Sequence, residues 1–335
     1  MKFIAAAKLP LLLERLGRHS QVYAPVAVDG RVWLSPWTGE DIAGGYVNPV
    51  NSLKTLVYPQ TEAVLEFEGG ETDVTVREAS PPAPQVIFGG RPCDAAGLDL
   101  IARVFMEGPF VDELFRRRRE ATTIMTVACR QAAPSCFCRA MGLSPASERG
   151  SDVLFFPGPE GYLVEALTEA GEQILEQAAG LLDDATGDQA RRACQELPVP
   201  LAGDLNTVRL TPEEGFEHPY WEHLARRCRS CGTCTYLCPT CYCTALFDVT
   251  RGTRGRRLRG WDCCQFKDFL LMAGGHNARP QKKQRVRNRF LHKLSYHPAN
   301  YGEQACVGCG RCVDNCPVCL HMAGVLKDLG EVERA

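Results

Sequence analysis

Two runs of β-branched and aromatic residues in the first half of the chain each end at a cysteine. The first, PQVIFGGRPC at residues 84–93, reads as a short strand leading through a glycine turn to Cys93. Apolar positions then recur at helical spacing through DAAGLDLIARVFM, residues 94–106, so a helix is expected after the turn. TTIMTVAC, residues 122–129, is a second strand of the same kind, and RQAAPSCFC brings Cys136 and Cys138 just behind it. Strands of this kind lying parallel would carry Cys93 and Cys129 out at one carboxyl edge, where open α/β sheets place their ligands.

The same patterning organises the rest. MKFIAAAKLPLLLERLGRHSQ reads as an amphipathic helix; Lys8 breaks its apolar run, and Glu14 and Arg15 follow, so it lacks the core of a secretion signal. DQARRACQEL, residues 188–197, looks helical and makes Cys194 a packed small hydrophobe. FRRRRE, with Arg116 to Arg119, reads as a solvated helix end. No run of eighteen apolar residues is present, so no transmembrane helix is expected. The expected class is α+β: an N-terminal α/β domain over residues 1–205, then a helical or ferredoxin-like two-cluster domain over 206–335.

Composition changes this picture in one respect. The hydrophobic fraction of 45%, the charged fraction of 23% and the net charge of −2 are those of an ordinary globular protein, but 18 cysteines are not. Without a secretion signal they imply a reducing, cytoplasmic setting, where thiols serve as metal ligands or nucleophiles more often than as disulfides. A chain of 335 residues can also fold without covalent staples.

Their spacing narrows the choice among disulfides, zinc and iron-sulfur clusters. Cys228, Cys231, Cys234 and Cys238, followed by Pro239, spell C-x2-C-x2-C-x3-C-P, and Cys306, Cys309, Cys312, Cys316 and Pro317 repeat it. Zinc sites take ligands as separated pairs, whereas three thiolates at two-residue spacing wrap a cluster corner and the fourth ligates the other cluster. The expected sets are Cys228, Cys231, Cys234 and Cys316 for one 4Fe-4S cluster, and Cys306, Cys309, Cys312 and Cys238 for a second. Gly232, Gly308 and Gly310 suit backbone that must turn tightly around such a group. A spacer of 67 residues, 239–305, separates the motifs and has long stretches of helical character.

Cys93, Cys129, Cys136 and Cys138 form a further expected set, for a third 4Fe-4S cluster; zinc and free redox-active thiols are the alternatives. Cys241, Cys243 and Cys264 flank the spacer in CPTCYC and WDCC and are candidates for an additional site, with a shielding role beside the clusters as the alternative. Between Arg251 and Lys293 basic residues are dense and acids sparse. Alone this resembles a nucleic-acid patch; beside anionic clusters it reads as charge compensation. His276, His292 and His297 read as solvated or hydrogen-bonded. No G-x-G-x-x-G after a strand, no G-x-x-x-x-G-K-[ST] and no G-x-S-x-G occurs, so neither flavin nor nucleotide is expected on this chain.

Several blocks occur in a telling order: NPVNSLKTLVYPQTE at 48, GGRPCDAAGLDL at 89, CFC at 136, CGTCTYLCPTCYC at 231, WDCCQF at 261, AGGHNARP at 273, RNRFLHKLSY at 287 and CVGCGRCVDNCP at 306. Across residues 48–325 the chain resembles the iron-sulfur β subunits of cytoplasmic sulfhydrogenases and the similar A subunit of anaerobic sulfite reductase. That resemblance implies an electron relay between a flavin-containing, NAD(P)H-linked subunit and a catalytic subunit such as a nickel-iron hydrogenase. Cys263 and Cys319 are extra thiols relative to the family pattern. The rival expectations are a subunit that reduces substrate at an open cluster, and a zinc-dependent nucleic-acid module.

Overall fold

The computed structural model describes residues 1–332 except positions 71, 81, 186, 202–204 and 206–214. The expected division between residues 205 and 206 therefore falls at a stretch outside the described residues.

An eight-stranded sheet organises the first half. Its strands are β1 (Lys2–Ala5), β2 (Gln21–Val28), β3 (Arg31–Pro36), β6 (Gln85–Gly90), β7 (Thr122–Val127), β8 (Val153–Pro157), β9 (Gly161–Ala166) and β10 (Asp183–Asp184), in the order β10-β1-β9-β8-β7-β6-β2-β3. Its centre, β2-β6-β7-β8, is parallel, and antiparallel strands flank it on both sides. The two-residue period sorts the side chains: Val86, Phe88, Met125 and Val127 face one core, and Ile87 and Ile124 face the other. The first core is closed by α1 (Leu9–Leu16) and α5 (Glu169–Gln177), through Leu9, Leu12, Leu13, Leu16 and Ile174. The N-terminal segment is thus a strand followed by a short helix, rather than the helix expected throughout.

The second core is closed by α2 (Lys54–Val57), α3 (Pro92–Met106) and α4 (Glu113–Glu120), with Leu53, Tyr58, Leu98, Ile101 and Phe115 inside. The arginines of α4 are tied down: Arg116 bridges Glu113 and Glu120, and Arg118 pairs with buried Glu62. Cys194, on α6 (Gln189–Gln195), is fully buried in a small apolar cluster as expected.

The spacer departs from its expected helical character. Its first part is a hairpin, β11 (Thr244–Arg251) and β12 (Arg254–Trp261), and β12 pairs antiparallel with β4 (Thr61–Gly69), which in turn pairs with β5 (Val74–Glu78). This second sheet takes two strands from each side of the expected division. After a 3-10 turn at Lys267–Leu270, α-helix begins at Lys282–Leu291 and continues through a π-helical turn to His297–Tyr301. Trp221, Leu224, Phe290, Leu294, Met322 and Leu326 form the core of the C-terminal helical part. Among the described residues no helix is long and apolar enough to cross a membrane.

Candidate iron-sulfur sites

The two cysteine motifs repeat in three dimensions. Gly232 and Gly310 have left-handed backbone, at φ 77 and φ 79, and each starts a one-turn helix, Thr233–Tyr236 and Arg311–Asp314. Glycine adopts that conformation without the Cβ clash other residues meet. The two short helices pack against each other, so the end of each motif meets the start of the other.

Cys228, Cys231, Cys234 and Cys316 line one cavity together with Gln265, Arg289 and Phe290. The expected cross-motif set is therefore gathered, three thiols from the first motif and the last from the second. Cys306, Cys309 and Cys312 each lie within electrostatic reach of Cys238, the fourth member expected for the second set. Burial raises the Cys306 thiol to about 12 and pushes Cys309 and Cys312 up as well. Cys238 behaves oppositely: a hydrogen bond from Cys241 holds it low, helped by Lys293 and Arg289.

Cys93, Cys129, Cys136 and Cys138 line a second cavity, at the carboxyl edge of β6 and β7. Gly308 and Cys309 form part of the same wall, so this cavity abuts the second motif. The join is tight. Phe137 N donates to Gly308 O at 2.9 Å, and a Cβ on Gly308 would lie 2.5 Å from the Phe137 carbonyl. Arg311 reaches back to Asp94 on α3 with two hydrogen bonds of 2.6 and 2.9 Å, both side chains being buried. Asn48 Nδ2 donates to Cys309 O at 2.9 Å, and Arg311 Nε donates to Pro49 O at 3.1 Å. The 48–54 block is thus the clamp between the two halves. Burial raises all four thiols of the cavity, Cys138 to about 12. The Ser135 hydroxyl, next to Cys136, is buried with no hydrogen-bond partner.

Beyond the Asp94–Arg311 pair, which faces Cys93, Cys129 and Cys309, the buried charge near the thiols is cationic. Lys54, Arg289 and Lys293 are buried, and none has a carboxylate partner among the described residues. Lys54 Nζ donates to the carbonyls of Tyr236 and Cys241 and lies 3.8 Å from the Trp261 ring centre; burial lowers its pKa to about 8. Burial also opposes charge on Lys293, but the facing thiols of Cys238 and Cys241 outweigh it and raise its pKa. Arg289 Nη1 reaches Cys241 Sγ at 3.7 Å and also faces Cys234 and Cys312. Buried cations are costly without a counter-charge, and a thiolate-held cluster supplies one. The donor set therefore fits 4Fe-4S clusters. No three His, Cys, Asp or Glu side chains among the described residues converge on a point that could hold a single metal ion.

The basic run divides accordingly. Arg285, Arg287 and Arg289 are buried, whereas Arg254 and Arg257 lie on the exposed hairpin, paired with Glu68 and Asp248. His292 hydrogen-bonds Tyr242 and His297 bonds Glu303 O, while His276 is exposed. Cys319 is exposed. The buried lysines and arginines were missed as individual site residues by sequence reasoning; the density of the basic run was the available signal for Arg289 and Lys293, and Lys54 had none.

These features define an iron-sulfur protein with a C-terminal dicluster domain, and residues 227–320 match the family model of a 4Fe-4S dicluster domain. The whole chain is similar to Sulfhydrogenase 2 subunit beta of Pyrococcus furiosus, at 28% identity over 330 residues, covering 96% of each chain. The resemblance read from the ordered blocks thus extends over nearly the full length. No solved structure matches the chain.

Proposed function

We propose that this chain is the iron-sulfur electron-transfer subunit of a cytoplasmic multisubunit oxidoreductase. It passes single electrons between a flavin-containing, NAD(P)H-linked subunit and a catalytic subunit such as a nickel-iron hydrogenase. The division of labour is an α/β domain over residues 1–205 and a dicluster domain over 206–335. Cys228, Cys231, Cys234 and Cys316 hold one 4Fe-4S cluster, Cys306, Cys309, Cys312 and Cys238 a second, and Cys93, Cys129, Cys136 and Cys138 a third. Flavin and nucleotide belong to the neighbouring subunit.

Bound 4Fe-4S clusters supply one-electron couples whose potentials follow charge, burial and hydrogen bonding to sulfur. Most of the thiols are wholly or partly buried, Cys231 being exposed, and Arg289 and Lys293 stand buried beside the dicluster thiols with no carboxylate partner among the described residues. That buried cationic charge is the observation that carries the reading, because it stabilises an anionic group where the thiols converge. Cys309 serves the second set while lining the N-terminal cavity, which gives electrons a short route between the α/β and dicluster parts. Full-length likeness to a sulfhydrogenase β subunit supports the hydrogenase-type partner.

An electron paramagnetic resonance (EPR) redox titration of the anaerobically purified chain tests this, with Cys231→Ser, Cys309→Ser and Cys316→Ser beside it. One-electron waves are expected, with Cys316→Ser altering the signal that Cys231→Ser alters and sparing the one altered by Cys309→Ser. Colourless protein containing zinc would refute the function, and the opposite grouping of Cys316 would refute the ligand sets.

A further inference from the structure

A second group of thiols lies beside the dicluster core and has no part in the three sets above. Cys241 and Cys243 follow the first motif directly, and Cys264 arrives from the far end of β12. The hairpin joins them. Thr244 pairs with Trp261, and Asp262 N donates to Cys243 O at 2.9 Å, so the segments just outside the hairpin stay side by side. The Cys243 and Cys264 thiols are within hydrogen-bonding reach of each other, and Cys241 and Cys243 both face the Lys54 ammonium. Gln265 Nε2 approaches Cys264 Sγ at 3.6 Å, and Arg289 Nη1 approaches Cys241 Sγ at 3.7 Å.

The dicluster sets account for Arg289, which also faces Cys234 and Cys312, but they do not account for Lys54. Two of the three thiols facing that buried lysine, Cys241 and Cys243, lie outside the assigned sets; the third is Cys238. Its remaining polar contacts are carbonyls, and Trp261 covers it. A buried ammonium facing thiols with no carboxylate nearby favours thiolates, and thiolates are the ligands that select soft metals and iron-sulfur clusters. The aromatic rings of Tyr236, Tyr242 and Trp261 border the same space.

From this juxtaposition we infer a further iron-sulfur centre held by Cys241, Cys243 and Cys264, with one coordination position left for a ligand other than cysteine. Cys263, fully buried with its thiol within hydrogen-bonding reach of Cys264 and Thr235, is left outside the inferred set. The centre stands beside the dicluster pair, through Cys238 on one side and Cys234 on the other, and so lengthens the relay rather than replacing any part of it.

The test is iron and labile-sulfide analysis of the anaerobic chain and of Cys243→Ser, Cys264→Ser and Cys263→Ser, with EPR of each. Cys243→Ser and Cys264→Ser are expected to lose about three or four irons per chain while keeping the dicluster signals, and Cys263→Ser to lose none. Iodoacetamide footprinting of the unsubstituted chain, read by mass spectrometry, covers the case where a variant does not fold: Cys241, Cys243 and Cys264 should react only after iron is removed. Unchanged iron in both variants, or alkylation of these three thiols in a chain still holding about twelve irons, overturns this inference alone. A chain without iron overturns it together with the dicluster reading.

Discussion

Replacing Asp94 by asparagine isolates the charge of one buried carboxylate. Asp94 accepts from both terminal nitrogens of Arg311 at 2.6 and 2.9 Å, and the side chains are 0% and 3% exposed. Asn keeps the size and leaves Arg311 without its counter-ion, a change that costs about 3–5 kcal/mol in a buried pair. Arg311 also faces Cys309 and Cys93, which belong to two of the proposed cluster sets. Anionic clusters at those thiols would hold part of the charge that Asp94 held. Metal-free Asp94→Asn should therefore melt roughly 6–20 °C lower than its parent, taking about 2–4 °C per kcal/mol. The iron-loaded variant should lose about half as much. Anaerobic circular-dichroism melts of both forms, with Arg311→Met and the double variant completing the cycle, measure this. Equal losses with and without iron would refute the placement of Arg311 in the field of the clusters.

Burial raises the thiols of Cys138 and Cys306 to about 12, and those of Cys129 and Cys312 upward, from an ordinary 9.0. Their contribution to the metal-free fold is complete below pH 9 and is lost as pH rises toward 12, so melting temperature should fall from about pH 9 upward. Cys238 and Cys264 are held low, so their contribution is already complete at that pH. Iron-loaded chain should lack this decline, because its ligands have already given up their protons. Gly308→Ala should strain a backbone at φ 62 by roughly 1–3 kcal/mol and drive a methyl against the Phe137 carbonyl, lowering both the melting temperature and the iron held by the N-terminal thiols. Arg289→Leu removes a buried positive charge facing Cys234 and Cys312 and should lower the dicluster potentials by on the order of tens of millivolts, read by EPR titration.

The thiols of the proposed ligand sets were legible in the sequence because their signals are local. Motif spacing marks the eight C-terminal cysteines, and the β-branched and aromatic runs leading to Cys93 and Cys129 mark two strands whose parallel pairing puts both cysteines at one sheet edge. The hairpin of the spacer was not legible for the converse reason. Most residues of β11 and β12 are exposed, so no buried face imprints alternation on them, and their partner strand lies far back at Thr61–Gly69. Lys54 carried no signal at all, since its partners Tyr236 and Cys241 stand 182 and 187 positions away. The density of basic residues between Arg251 and Lys293 was visible, but not that Arg285, Arg287 and Arg289 would be buried.

The most direct test is a count of iron, acid-labile sulfide and zinc per chain on anaerobically purified protein. Three thiolate-held 4Fe-4S clusters predict at least about twelve irons with matching sulfide, and three or four more for the centre at Cys241, Cys243 and Cys264. About eight irons would remove the N-terminal cluster, and zinc without labile sulfide would contradict the electron-transfer role altogether.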